Sequence, residues 1–580
     1  MKRIVCTVLM AAALLTMSWG QGAPKTAEEF VTRGIASAVR GNYEAAIADF
    51  TEAIRLDTKL SAAYTLRGRA VYASVSMITG VGANFSSVVT RSSGGKVTAE
   101  QARSYDRAIA DFTQALKLDP NNADTYRERG NVYSDKGDLN KAIADYNQAI
   151  RRDPNLARAY NGRGNAYSDK SDFNKAIADY DQAIRLDPGF ASAYNNRGKV
   201  YGKKGNLDDA IADFNQTIRL TPNDAQAYNN RGISFFGKGD HDRAITDFNQ
   251  AIRLDPNYAA AFFNRGTTYA AKGDYNKAIT DYNQVIRLVP NDAEAYNSRG
   301  CAYNNKDDTD LAIADFSMAI HLDANFAAAY SNRGNAYVIK DDLDQAIIDY
   351  NQAIRRDPNL VQAYLNRGVV YMGKQDFNKA ITDFSQAIRR DPDNAAGYKI
   401  RGATYAVRGN YNLAIIDFGQ AIRLNPNDAE SYSVRGFMYG MKGDLNRAIA
   451  DFDQAVKLDS KDAGTYFLRG SLYLNNEDFD RAIADFSEAI RLDPKHIIAY
   501  SNRGASYGIK EEYDRAIADY NQVIRLDPKG PLGYAGRGFM YYLKKDYDRA
   551  IADCETALQF DPKNNTVRKV LEAARKDRGR

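Results

Sequence analysis

Histidine, cysteine and tryptophan are nearly missing from this 580-residue chain, at three, three and one. His241, His321 and His496 are far apart and hold non-matching places in the pattern described below. They cannot gather around a metal or activate one nucleophile. Cys6 sits in an N-terminal apolar run, which leaves Cys301 and Cys554. These are too distant in an extended array for the roughly 7 Å between Cα atoms that a disulfide tolerates, so both are expected to be free. There is no phosphate-cradling glycine loop and no paired-cysteine zinc pattern. Asp307, Asp308 and Asp310 crowd one turn without the spacing or distal glutamate of a calcium loop. The formal charge is only +5, which argues against nucleic acid or an anionic membrane surface as partner. These gaps lead us to expect no cofactor, no metal and no enzyme.

Proline is also sparse, and its placement is informative. Twelve of the fourteen prolines, from Pro120 to Pro562, occupy one recurring position. An Arg-Gly pair recurs in step at Arg33, Arg67 and then every 34 residues from Arg129 to Arg537. An Ala-Ile pair follows each time, from Ala46-Ile47 to Ala550-Ile551, giving fifteen units. A fixed period of this size is the mark of a repeat architecture.

In the unit Ala191–Asp224, Tyr194, Gly198 and Tyr201 fall at i, i+4 and i+7, one stripe of a helix A. After the turn Lys203-Lys204-Gly205-Asn206, Ala210, Phe214 and Thr217 form the stripe of a helix B. Thr221-Pro222 stops it, because proline lacks the N–H and restricts the residue before it. Small Gly198 and Ala210 let two helices approach where Tyr194 and Phe214 supply bulk. Arg197 and Asp213 lie beside the two stripes in every unit, for example Arg231 with Asp247 and Arg503 with Asp519. In an antiparallel helix pair they come level, which predicts a repeated Arg–Asp ion pair.

The order Tyr194, Gly198, Tyr201, Ala210, Phe214, Pro222 resembles the tetratricopeptide repeat, from about Ala27 to Asn564. The resemblance implies an all-α fold, a right-handed α-solenoid superhelix whose A helices line the concave face. One departure is systematic, since Arg197 and its equivalents stand where the family usually has leucine. The chaperone-type carboxylate clamp is not expected: Arg127 and Asn131 start it, but Gly162 and Ser192 fill the slots that should continue it.

Ahead of the repeats, Lys2-Arg3 and the apolar run Ile4–Met17 read as a signal peptide over residues 1–20, with 21–26 a linker. This predicts export to the periplasm or the exterior, with a retained anchor as the alternative. Repeat 2 breaks the rhythm, with 62 residues between Arg67 and Arg129 instead of 34. The extra 28 fall at about Ser74–Arg103, with Phe85, Val88 and Val89 as apolar centre and a Thr98/Gln101 capping box that starts helix B early. Residues 565–580 place Val567, Val570, Leu571 and Ala574 at helical spacing, a capping helix.

Function should lie on the concave A helices. The residue before Arg-Gly is Asn196, Asn230, Asn264, Asn332 and Asn366 in the middle of the chain and Asn502 later. An amide both donates and accepts, so a ladder of them suits a polypeptide backbone. Towards the C-terminus the facing positions turn apolar, with Phe437, Phe467 and Phe539 beside Leu474, Ile509 and Tyr542. Repeats 3 and 4 instead present Asp124, Arg127, Asp135, Arg158 and Asp169. The expected function is a non-enzymatic scaffold binding protein or peptide in cell-envelope assembly or transport. The alternative is an accessory of polysaccharide export or cell-wall synthesis. Oligomeric state is left open.

Overall fold

The computed structural model describes residues 24–78 and 98–579. The apolar run Ile4–Met17 and the centre of the repeat 2 insert, with Phe85, Val88 and Val89, lie outside the described residues. Within them are thirty-one α-helices, fifteen A–B pairs followed by one more. They group into two compact units, Met1–Asn291 and Asp292–Arg580. Each is an all-α solenoid in which helix B packs between its own helix A and that of the next repeat.

Repeat 5 shows how the residues produce the pair. Helix A runs Ala191–Lys203 and helix B Leu207–Leu220. The turn needs one left-handed residue, and Gly205 supplies it at φ +81. Just before helix B an aspartate often caps the free N–H groups: Asp172, Asp240 and Asp274 accept from Lys175, Arg243 and Lys277. At the junction of repeats 4 and 5, the Asp187 carboxylate accepts from the Gly189 N–H and its carbonyl from the Phe190 N–H. These bonds fold the Asp-Pro stop into a compact turn.

The core of each repeat but the last is a ring set against a glycine; in the last, Cys554 takes the place of the ring. A Cβ added to Gly198 would lie 2.9 Å from Phe214, and one at Gly232 would lie 2.7 Å from Phe248. Phe214 and Phe248 are buried, and each such ring contributes on the order of 1.5–3 kcal/mol. The expected tyrosine stripe is corrected here. Helix A buries Ala193, Asn195, Gly198 and Val200, whereas Tyr194 and Tyr201 are half-buried. The tyrosines flank a guanidinium instead, with Arg197 5.7 Å from the Tyr194 ring and 5.9 Å from that of Tyr201.

The arginine that precedes each of these glycines is the structural hub. Arg197 donates to both carboxylate oxygens of Asp213, from Nε at 2.8 Å and from its terminal nitrogen at 2.6 Å. Its other terminal nitrogen donates to Asp181 of repeat 4 at 2.5 Å. The Arg–Asp pair recurs in every repeat, from Arg33–Asp49 to Arg537–Asp553. The cross-repeat bond recurs too, for example Arg231 to Asn215 and Arg503 to Ser487. One side chain therefore clamps helix A to its own helix B and to the previous one. Bonding to Asp213 raises the Arg197 pKa, while burial outweighs the guanidinium and pushes the Asp213 carboxyl up. A partly buried pair of this kind is costly to split even where its net contribution to stability is small.

A second tie is exposed and weaker. The lysine after helix A reaches back 30 residues to helix B of the previous repeat, as in Lys272–Asp242 and Lys544–Asp514, both 2.5 Å. Arg578 makes the same reach to Asp548, so the last helix, Asn565–Arg578, occupies the place of a further helix A. It buries Val567, Leu571 and Ala574. In repeat 2 the insertion lengthens both helices, to Ser61–Ile78 and Ala99–Leu118. The reciprocal Thr98/Gln101 capping box opens the second of them. Cys301 is half-buried, Cys554 is buried in the slot of Phe214, and both are free. Among the described residues no helix is long and apolar enough to cross a membrane.

Candidate functional site

Successive A helices of the N-terminal unit line a groove of about 580 Å³ that runs from Tyr72 in repeat 2 to Ser234 in repeat 6. The same helical positions recur along it. Asn131, Asn165, Lys199 and Ile233 follow the conserved-in-register glycine, and Asp135, Asp169 and Lys203 come one turn later. Helical periodicity puts both positions on one face, and the 34-residue period stacks them.

The asparagines are tied to one another. Asn196 donates to Asn161 at 3.1 Å, Asn230 to Asn195 at 3.1 Å and Asn264 to Asn229 at 2.9 Å, each across one repeat boundary. Asn332 donates to Asn297 at 3.0 Å and Asn366 to Asn335 at 2.7 Å. One N–H of each ladder amide is therefore committed to an asparagine of the preceding repeat. A carboxamide has two N–H donors and two acceptor sites, so capacity for a ligand remains on these half-buried side chains. Asn502 is not a rung. The accepting position in repeat 13 is Phe467, and the Asn502 backbone carbonyl accepts from the Ser506 hydroxyl.

Two sets of partners escaped the sequence reading. The acceptor asparagines Asn161, Asn195 and Asn229 are buried and directly precede the ladder positions. Buried tyrosines also replace phenylalanine where a groove amide can receive the hydroxyl. Tyr146 donates to Asn131 at 2.8 Å, Tyr180 to Asn165 at 2.8 Å and Tyr350 to Asn335 at 2.7 Å. Burial drives the phenols of Tyr146 and Tyr180 well above their ordinary pKa, so they remain donors. The signal was in the sequence: a Tyr on helix B with an Asn fifteen residues earlier.

Charge is concentrated at repeats 2 to 4. Arg127 is expended within the protein, with 8% of its side chain exposed, on Glu128 at 2.7 Å and Asp124 at 3.1 Å. Arg69 lies 3.1 Å from the same Glu128. Burial alone would raise the Glu128 carboxyl, but Arg127 and Arg69 outweigh it and hold it below its usual value. Tyr72 donates to Asp135 at 2.5 Å, and burial, then that carboxylate, raises its pKa. Arg158, Lys199 and Lys203 line the groove as well.

In the C-terminal unit the three expected phenylalanines separate. Phe437 and Phe539, 41% and 42% exposed, hold the position of Lys199 in their repeats. Phe467 does not face solvent in this way. It packs 6.0 Å from Phe486 and 4.6 Å from His496, with Leu474, in the core of repeat 13. Ile509 is exposed, and Tyr542 donates to Asp577 of the last helix.

Sequence models described as "TPR repeat" match residues 104–137, 130–171, 164–205, 266–307 and 334–375. Models described as "Tetratricopeptide repeat" match 195–259, 248–280, 293–326, 361–394, 429–462, 463–496, 497–529 and 531–564. No curated protein matches the chain. Among solved structures, the APC/C hetero-tetramer Cut9–Hcn1 is similar at 18% identity, over 82% of this chain and 94% of that one, with TM-score 0.37. YrrB, described as a TPR protein with an unusual peptide-binding site, is 29% identical over 32% of this chain and 95% of its own, TM-score 0.28. MamA is 31% identical over 28% and 96%, TM-score 0.26.

Proposed function

The chain belongs to the tetratricopeptide repeat family, a protein–protein interaction scaffold, and on that footing we propose that its N-terminal groove holds an extended polypeptide in cell-envelope assembly or transport. The observation that carries this reading is the run of amide rungs, Asn196, Asn230 and Asn264, repeated on one face of successive A helices. A polypeptide backbone offers a donor and an acceptor at nearly every residue and is matched by amides without regard to side chains. The rungs are held in place by their own cross-repeat bonds, so little side-chain freedom is lost when a ligand docks. The protein supplies alignment, not chemistry. The proposed place in the envelope is supported by Lys2-Arg3 and the apolar run Ile4–Met17, which read as an export signal.

Crosslinking in the native envelope tests this. A discrete protein is expected to be captured by the natural chain and lost when Asn196, Asn230 and Asn264 are changed to alanine. Capture that is unaffected by the triple variant would move the site to the apolar positions of the C-terminal unit. Glycan recovered in place of protein would overturn the polypeptide reading.

A further inference from the structure

Nearly every cation near the groove already has its anion. Each Arg-Gly arginine is bound to an aspartate, and Arg69 and Arg127 share Glu128. Arg158, Lys199 and Lys203 differ. They line the same cavity, yet among the described residues they form no hydrogen bond or ion pair. Lys199 is half-buried, and burial pulls its ammonium below its ordinary pKa; Asp224 opposes this and Lys203 adds to it. A partly desolvated cation that is neither hydrogen-bonded nor ion-paired is a cost to the folded chain. Packing does not demand it, because the same position accepts Ile233, Val369 and Phe437 in other repeats.

With a polypeptide in the groove, as proposed above, we infer that its acidic side chains seat at repeat 5, against Lys199 and Lys203 with Arg158 alongside. A carboxylate there supplies a directly paired anion and makes charge-assisted hydrogen bonds in a partly desolvated site. The carboxylate is a side chain, not a chain terminus. The groove continues in both directions, past Asp135 to Tyr72 on one side and past Asn230 to Ile233 on the other, so the ligand passes through. A uniformly anionic polymer fits poorly, since Asp135 and Asp169 line the groove one and two repeats away. Stacked helices lie roughly 8–10 Å apart, about three residues of extended chain. The preferred segment therefore carries an acidic residue at repeat 5 and a neutral or basic one about three positions away.

Fluorescence anisotropy at low salt tests this on the full chain. The probes are an acetylated and amidated Gly-Ser-rich peptide with a central Glu-Glu pair, its Gln-Gln counterpart, and a polyuronate oligosaccharide. The Glu peptide is expected to bind roughly ten-fold more tightly than the Gln peptide. Lys199→Gln with Lys203→Gln should abolish that difference and leave the Gln peptide unaffected. Lys199→Met provides a readout that damage to the fold would not: affinity for the Glu peptide falls while the melting temperature stays level or rises. Equal binding of both peptides, weakened alike by Asn196→Ala and Asn230→Ala, would overturn the acidic preference and keep the polypeptide groove. Binding of neither peptide would overturn both, and Lys199-dependent binding of the oligosaccharide in their place would assign the cations to a glycan carboxylate.

Discussion

The two compact units share one frame and differ in what they put on it. At the position of Lys199, the N-terminal unit carries Asn131, Asn165, Ile233 and Thr267, whereas the C-terminal unit mixes Asn335 and Ser471 with Val369, Phe437 and Phe539. One turn on, Asp135, Asp169 and Lys203 are answered by Ile339, Val407, Met441 and Ile509, all four at least 54% exposed. Among the described residues, large exposed hydrophobics before Asp292 are Val39, Leu56, Ile233 and Val289, against sixteen after it. The turns differ as well. The left-handed position is glycine in Gly41, Gly137, Gly205, Gly239 and Gly273 of the first unit, with Ser171 the exception, but Asp307, Asp341, Gln375, Glu477, Glu511 and Lys545 in most of the second. The Arg–Asp hub does not differ, and the ring-on-glycine core differs only in the last repeat, where Cys554 replaces the ring. Residues that join neighbouring helices are held constant by the fold, and residues that meet solvent or a partner are released to specialise. The apolar positions of the C-terminal unit form the kind of surface that a partner covers.

The largest expected effect probes what the units share. Asp247→Ala leaves the Arg231 guanidinium, only 21% exposed, without its carboxylate and is expected to cost about 2–3 kcal/mol in urea denaturation. Asp451→Ala should cost about the same in the other unit, and Arg231→Leu should cost less than Asp247→Ala. A shift no greater than that of Asp208→Ala, whose side chain is 85% exposed, would remove the hub from the account. Next come the turns, where the units diverge. Gly205→Ala should destabilise by about 1 kcal/mol, whereas Gln375→Gly, at φ +60, should stabilise by about 0.5–1 kcal/mol. Opposite signs in thermal melts sharpen the contrast, and equal signs break it.

Surface chemistry is next in size. Changing Val407, Phe437 and Met441 together to serine should lower the fluorescence of bound anilinonaphthalene sulfonate by roughly half, with stability altered by no more than about 0.5 kcal/mol per site. Ile233→Ser in the polar groove should leave the signal nearly unchanged. The smallest effect is a rate. Cys301 occupies the position of Lys199, and burial pushes its thiol up to about 11. Only about one part in a thousand is thiolate at pH 8, so labelling by a disulfide reagent should be slow and rise about ten-fold per pH unit. Fast labelling at neutral pH would show this stretch to be more open than its burial indicates.

Much of this was legible without coordinates. Arg197 with Asp213, Gly198 under Phe214 and the Thr98 cap were readable because their partners lie at fixed offsets within a repeat, and one repeat is a local object. The expectation for Tyr194 and Tyr201 was wrong in degree: periodicity placed them on a stripe, but the guanidinium of Arg197, not the core, covers them. Phe437 and Phe467 looked alike as apolar residues near the concave face, and only packing against Phe486 and His496 set Phe467 apart.

By itself the sequence determined the period, the helix pair, the Arg–Asp hub and the polar-to-apolar drift along the chain, because nearest-neighbour contacts that repeat every 34 residues are written in register. Only the tertiary structure decided which polar groups are spent and which are spare. Asn196 finds Asn161 on another helix, Asn502 has Phe467 at the equivalent accepting position, and Arg158, Lys199 and Lys203 form no hydrogen bond or ion pair among the described residues. Satisfaction of a polar side chain depends on what stands one repeat away and on how much water remains between them, and neither can be read from the residue itself.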